Sequence, residues 1–458
     1  MKTQRPFGIK DKIGYAAGDV ANNLTFHFIS GFLMLFYTDV WGIEGKIAAG
    51  VFFAARIIDA FTDVGMGTIV DRFPGNKDGK FRPFIKWGAI PVAFAGFLLF
   101  QSGLKDMSMT FKIVYMYVTY ILWGSICYTF INIPYGSMAS AVTPDPDQRT
   151  ELSTFRTLGS TVAQLAIGFL VPFIIYKKNP GGEDILLGGR FPIVAGVFAI
   201  LAVLAYMFCY KNVEERVEIG KEENKTSVLK GIGNVITRRS LISIILISIC
   251  LLLSMLLISA MNAYVYNVYF QNSAGMAYAG LTTTLPMLIT APIAMKLGQT
   301  IGKKEATTIG LFGSGLIYLI MYIVKVQNMY VFLLGSALAY AFLGIFNTLT
   351  WAMITDVIDD LEIKNKQRDD GTVYAIYSFA RKLGQAGAGG LGGVALTAVG
   401  YVAGAASQSP EVALGVYKVA TLFPAIALLV GGFVVSVIYP LDRKTVKKNN
   451  EILDARRK

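Results

Sequence analysis

The chain has 458 residues, of which 54% are hydrophobic, 12% aromatic and only 16% charged, and its mean hydropathy is +0.53. A water-soluble domain carries roughly 45 to 50% apolar and about 25% charged residues, so these proportions exclude an ordinary soluble enzyme or binding module. The net charge of +12 would point to nucleic acid or acidic partners in a soluble protein; in a chain of long apolar runs it is mainly a topology signal.

Apolar segments recur near 13 to 38, 46 to 70, 83 to 103, 111 to 140, 150 to 176, 191 to 210, 241 to 270, 277 to 300, 306 to 326, 329 to 357, 371 to 402 and 413 to 439. Many reach the length needed to cross a hydrocarbon core of about 30 Å. The longest polar gap, "KNVEERVEIGKEENKTSVLKGIGNVITRRS" from Lys211 to Ser240, separates the first six from the last six. The expected fold is an all-α membrane protein of twelve transmembrane helices in two six-helix bundles. Residues 1–212 would form the N-terminal bundle, 213–240 a central loop, 241–440 the C-terminal bundle and 441–458 a basic tail. Most of the 42 basic residues fall in the N-terminal tail, the even-numbered loops, the central loop and the C-terminal tail, which predicts that both termini are cytoplasmic.

The N-terminus "MKTQRPFGIKDKIGY" lacks a short apolar core followed by a small-residue cleavage site, so the first helix reads as a retained span. Cys127, Cys209 and Cys250 lie within apolar segments without a CxxC pair and are expected to be free, structural thiols. No GxxxxGK[ST] loop supports ATP-driven pumping.

An ionisable residue at the centre of a membrane helix costs on the order of 2.5 to 3.5 kcal/mol, so charge at mid-span marks function by default. In "RIIDAFTDVGMG", Asp59 and Asp63 are one turn apart with Thr62 beside them. Two carboxylates so close cannot both stay ionised in a dry site: one keeps a proton or a cation sits between them. Both outcomes describe a coupling-ion site. The competing reading is a structural ion pair of Arg56 with Asp59, which still leaves Asp63 needing a proton or a cation.

The first segment sets Asp19, Asn23 and His27 on one face with Asn22 adjacent, and the fourth holds Ser125, Tyr128, Thr129 and Asn132 just before Pro134. Such groups hydrogen-bond a polyhydroxylated solute and offer flat faces to sugar rings, although Ser, Thr and Asn also bond membrane helices to one another. Arg156 lies in the fifth segment, close enough to its start to snorkel. In the eleventh, "YAIYSFARKLGQ" places Tyr377, Ser378, Arg381 and Lys382 well inside the span, where the cations are expected to face a cavity with an interior acid or an anionic substrate. A gate is expected on the cytoplasmic side, where Asp71, Arg72, Lys80 and Arg82 follow the second segment and Asp356 and Asp359 close the tenth; solvated loops are the alternative.

The stretches "YTDVWGI", "ARIIDAFTDVGMGTIVDR", "GKFRPF", "NIPYGSMASAV", "RTELSTFR" and "ARKLGQ" resemble the signatures of the glycoside, pentoside and hexuronide cation symporters, a branch of the major facilitator superfamily. The resemblance runs in order from about Gly14 to the C-terminus. It implies twelve helices, alternating access and symport of a glycoside with H⁺, Na⁺ or Li⁺. It further implies a cation site at Asp59, Thr62, Asp63 and Thr129, and a sugar near Arg156 and Lys382. Asn23 and Asn132 stand where melibiose-carrier members of the family have carboxylates that hold a neutral sugar.

Losing two acids while keeping Arg156, Arg381 and Lys382 suits an anionic sugar, and a bidentate arginine fits a carboxylate. Within the family the chain resembles the glucuronide carriers, through "GDVANN", "CYTFINIPYGS", "IGKKEATTIG" and "GYVAGAASQSPEVALG". The expectation is a cation-coupled importer of a glucuronide or related glycoside, with Asp19, Asn22, Asn23, Tyr128, Asn132, Arg156, Tyr377, Ser378, Arg381 and Lys382 at the substrate. The alternatives are a symporter of a neutral pentoside or galactoside, and a lipid flippase or membrane sensor on the same fold. No catalysis, cofactor, resident metal or nucleic-acid partner is expected, and the protein is expected to be a monomer in a bacterial plasma membrane. H⁺ and Na⁺ both remain open as coupling ion. Asp59→Asn or Asp63→Asn is expected to abolish concentrative uptake while sparing some binding or exchange; wild-type accumulation by either variant in vesicles would refute the ion-site assignment.

Overall fold

The computed structural model describes residues 5–178, 180, 184–217, 238–365, 370–405 and 407–457. The chain divides into two compact units, one of Met1–Glu223 with Gln271–Ala277 and Leu396–Gln408, the other of Asn224–Phe270, Tyr278–Ala395 and Ser409–Lys458. The first half supplies α1 (Ile9–Leu35), α2 (Gly45–Arg72), α3 (Arg82–Leu98), α4 (Met109–Ile121), α5 (Thr129–Ser137), α6 (Ala139–Val142), α7 (Pro146–Ile175) and α8 (Phe191–Asn212). The second supplies α9 (Arg239–Tyr264), α10 (Ala274–Thr300), α11 (Lys303–Val324), α12 (Met329–Asn365), α13 (Asp370–Ala398), α14 (Pro410–Phe433) and α15 (Arg443–Arg457). A short hairpin, β1 (Tyr176–Lys178) with β2 (Asp184–Leu186), joins α7 to α8.

Every apolar segment read from the sequence is helical. Nine helical stretches among the described residues are long and apolar enough to cross a membrane. The apolarity of α2 is diluted by Arg56, Asp59 and Asp63, and α3 is only 17 residues long. Large apolar side chains such as Phe61, Ile90 and Leu334 are exposed, the inverse of a soluble bundle and the pattern of helices solvated by lipid.

Packing repeats within each unit. In the first, α1 packs on α7 and α8, and α3 on α5 and α8. In the second, α9 packs on α14, and α11 on α12 and α14. In both units the helices of the first and third apolar segments thus rest on the helix of the last, as parallel repeats do.

Small residues set the closest approaches, since helices in lipid associate by packing rather than by exclusion of water. A Cβ at Gly159 of α7 would lie 2.5 Å from the Ala16 carbonyl oxygen of α1, so only glycine allows the two backbones to touch there. On α1, Tyr15 and Tyr135 of α5 stack with centroids 4.8 Å apart and donate reciprocally to each other's carbonyls at 3.2 and 2.6 Å. Gly159→Val is therefore expected to cost about 1 to 3 kcal/mol through overpacking and to lower the thermal transition in detergent. Gly31→Ala, where nothing lies within 4 Å of the added Cβ, is the control that should leave the transition unchanged or slightly raised; equal effects would contradict the close-contact role of Gly159.

Candidate functional site

The two acids of α2 are met by the fourth span at a break in its α-helical geometry. Leu122–Tyr128 is a π-helical stretch between α4 and α5. Such stretches widen the turn and re-aim side chains, often at functional positions. Here Ser125 Oγ donates to Asp59 Oδ1 at 2.5 Å and Thr129 Oγ1 donates to Asp63 Oδ1 at 2.9 Å. Thr129 Oγ1 also lies 3.3 Å from the Gly124 carbonyl within the same span.

The other oxygen of Asp59 accepts from Arg56 at 3.0 Å, so the Arg56–Asp59 pair weighed from the sequence is formed. Asp59 is 8% exposed; its charge is met by a guanidinium and a hydroxyl, whereas Asp63 accepts a hydroxyl from the facing helix. Thr62 turns its hydroxyl back to its own helix, donating between the Ile58 and Asp59 carbonyls at 3.2 Å each, which leaves its oxygen lone pairs for an approaching cation. Among the described residues no cluster of three or more His, Cys, Asp or Glu could hold a metal ion, so any cation here would rest on two carboxylates and hydroxyl oxygens.

A cavity of about 330 Å³ opens in the same unit between α1, the fourth span and α7, lined by Asp19, Asn22, Asn23, Tyr128, Asn132 and Arg156. Sequence reasoning named all six. Asp19, 4% exposed, accepts from Arg156 Nε at 2.9 Å. Both the backbone carbonyl and Oδ2 of Asp19 accept from Asn23 Nδ2, at 2.8 and 2.9 Å. Arg156 therefore does not snorkel; its guanidinium sits over the Tyr135 ring at 5.4 Å while 40% of the side chain stays exposed. Tyr206 of α8 donates to Asn22 Oδ1 at 2.8 Å, and Asn22 Nδ2 is buried without an acceptor among the described residues. A polar wall holding an ion pair, amides and an unfilled donor is suited to a hydroxylated solute.

Phe26, Thr157 and Ser160 complete the wall and escaped the sequence reading. Ser160 could have been found from Arg156, since a residue four positions on shares its helix face. Phe26 stacks on Tyr128 with centroids 5.9 Å apart, adding a flat apolar surface. His27 packs edge-on against Phe26 at 5.7 Å.

Tyr377 and Arg381 lie on α13, in the second unit. Tyr377 is buried and its hydroxyl lies 2.9 Å from Ser248 Oγ. Arg381 is half-buried, its guanidinium 5.6 Å from the Trp351 ring and 5.8 Å from that of Tyr377. The side chains of Ser378, Lys382 and Asp71 lie outside the described residues.

Among the residues expected to gate, Lys80, Arg82 and Asp356 have these partners. Arg82 donates to the Tyr210 carbonyl through Nη2 at 2.6 Å and Nε at 3.1 Å. The amides of Lys80, Phe81 and Arg82 all donate to the Glu215 carboxylate, at 2.7 to 2.8 Å. Arg72 is exposed at the end of α2. On α12, Asp356 pairs with Lys303 at 2.6 Å and Asp359 is half-buried.

Helical bundles with lipid-facing exteriors, a pair of carboxylates one turn apart within a span and a polar cavity define a membrane transporter. The chain matches the family described as MFS/sugar transport protein over residues 14–443, and it belongs to that family, whose members are transporters. It is 33% identical to the uncharacterized symporter YjmB of Bacillus subtilis (strain 168), covering 96% of this chain and 94% of that protein. It is 32% identical to the glucuronide carrier protein homolog of Escherichia coli (strain K12), covering 97% of this chain and 95% of that protein. The solved nucleoside transporter NupG shares its fold with a TM-score of 0.67 at 11% identity, over 94% of this chain and 99% of that one.

Asp19 is buried while Arg156 is partly exposed, so removing Arg156 strands the Asp19 charge at a cost below the roughly 3 to 5 kcal/mol of a fully buried pair. Arg156→Gln is accordingly expected to lower the thermal transition, and Arg156→Gln combined with Asp19→Asn to recover most of it without restoring uptake. Recovery of uptake by the double variant would show that the pair serves packing alone.

Proposed function

We propose that the protein imports a glucuronide or closely related anionic glycoside by cation-coupled symport, with alternating access to the cavity beside Asp19 and Arg156. The observation that carries the reading is the juxtaposition, in one unit, of a two-carboxylate cluster at Asp59 and Asp63 with a separate polar cavity that ends in a guanidinium. The fourth span belongs to both, supplying Ser125 and Thr129 to the acids and Tyr128 and Asn132 to the cavity wall. A cation, H⁺ or Na⁺, would occupy the position between Asp59, Asp63, Thr129 and Thr62. It would lower the negative charge there and shift the π-helical stretch that both sites share. Linkage then requires that sugar raise cation affinity by the factor by which cation raises sugar affinity. The relative's description as a glucuronide carrier homolog supports the uronide, and Asn23 and Asn132 leave two fewer acids to repel it.

Asp19 gives a second reading weight. Its ion pair with Arg156 offsets the guanidinium charge, and an electrically balanced wall also suits a neutral glycoside. The readings separate through Arg381, which the uronide reading assigns to the substrate carboxylate. Uptake into vesicles is measured for a labelled glucuronide and its neutral alcohol analogue, with pH and Na⁺ gradients imposed separately. Arg381→Ala is expected to weaken the uronide about tenfold or more relative to the alcohol, as loss of a charge-assisted hydrogen bond of roughly 1.5 to 3 kcal/mol would. Equal losses would remove Arg381 from carboxylate recognition, and absence of concentrative uptake under both gradients would leave a flippase or sensor on this fold.

A further inference from the structure

The polar C-terminal helix α15 is not absorbed by the transport reading. The last span ends at Ile438 and α15 begins at Arg443. The four residues between can reach at most about 14 Å, and they are pinned further: the Tyr439 carbonyl accepts from Lys304 Nζ at 2.7 Å, the Tyr439 hydroxyl donates to the Met353 carbonyl at 3.3 Å, and Leu441 is buried. Asp442 caps the helix by accepting from the Thr445 amide at 2.8 Å, and the hydroxyl and amide of Thr445 hold its carboxyl below the usual carboxylate range. The helix is thus fixed at the level where the last span leaves the lipid.

Its two faces differ. Asn449 and Leu453 are buried and Val446 and Ile452 half-buried, where α15 packs on the ends of α11 and α12. Arg443, Lys444, Lys447 and Lys448 share the opposite face and are exposed, with Glu451 as the acid on that face among the described residues. Arg443 also donates to the Thr300 carbonyl. Lys303 and Lys364 nearby are paired with Asp356 and Asp360; among the described residues Lys444, Lys447 and Lys448 enter no salt bridge. A cluster of unpaired cations beside a membrane span is attracted to anionic lipid headgroups within a Debye length.

We propose that the outward face of α15, through Lys444, Lys447 and Lys448, binds the anionic headgroups of phospholipids in the adjoining leaflet. The test uses the full chain in nanodiscs of phosphatidylcholine alone or mixed with phosphatidylglycerol, reading amine-reactive labelling of each lysine by mass spectrometry and amide exchange along α15. Labelling of Lys444, Lys447 and Lys448 and exchange of α15 should slow several-fold with phosphatidylglycerol and recover at high salt. The exchange effect should vanish in the variant carrying Lys444→Gln, Lys447→Gln and Lys448→Gln, whose uptake and thermal transition confirm that it is folded. Equal labelling in both lipids would overturn the proposal. So would protection that needs an added cytosolic extract and is indifferent to phosphatidylglycerol, which would assign the face to an acidic protein.

Discussion

A charge inside a membrane helix must be answered by another group, and the first unit is organised around three such answers. Asp19 is met by Arg156 and Asn23, Asp59 by Arg56 and Ser125, and Asp63 by Thr129. Each answer comes from a different element or a different turn, so meeting the charges fixes the helices relative to one another. The first ties α1 to α7, and the second and third tie α2 to the fourth span.

The quality of these answers differs, and the difference separates the two sites. Asp19 receives a full positive charge at hydrogen-bond distance, which balances the cavity wall. Asp59 has a cation on one oxygen and a hydroxyl on the other, and Asp63 accepts the Thr129 hydroxyl. The π-helical stretch from Leu122 to Tyr128 lets one span serve both: an unbroken α-helix would rotate Ser125 and Tyr128 relative to Thr129 and Asn132.

Much of this was legible in the sequence because insertion cost is a local property. Asp59, Asp63, Asp19 and Arg156 stand out as charges in apolar runs, and helical spacing placed the two acids of α2 on one face. The cavity residues of α1 and the fourth span followed from the same stripe. What stayed hidden depends on tertiary contact. Ser125 read only as a general polar group because its partner is 66 positions away, and the π turn that aims it has no sequence signature of its own. Thr157 and Ser160 were passed over because uncharged hydroxyls in a membrane helix usually bond their own backbone. Glu215 lay in the polar gap with nothing local to mark it, yet three successive amides, Lys80 to Arg82 at the start of α3, converge on its carboxylate. Gly159 was one glycine among 47 until the backbone of α1 was seen beside it.

The central claim is that the acids of α2 seat a cation whose binding is linked to occupancy of the cavity on α1 and α7. Equilibrium binding of a labelled glucuronide to the purified protein, titrated against Na⁺ at fixed pH and against pH without Na⁺, tests it most directly. Sugar affinity should rise with one of the two cations, and cation affinity should rise with sugar by the same factor. Sugar affinity that is flat against both Na⁺ and pH would contradict the account.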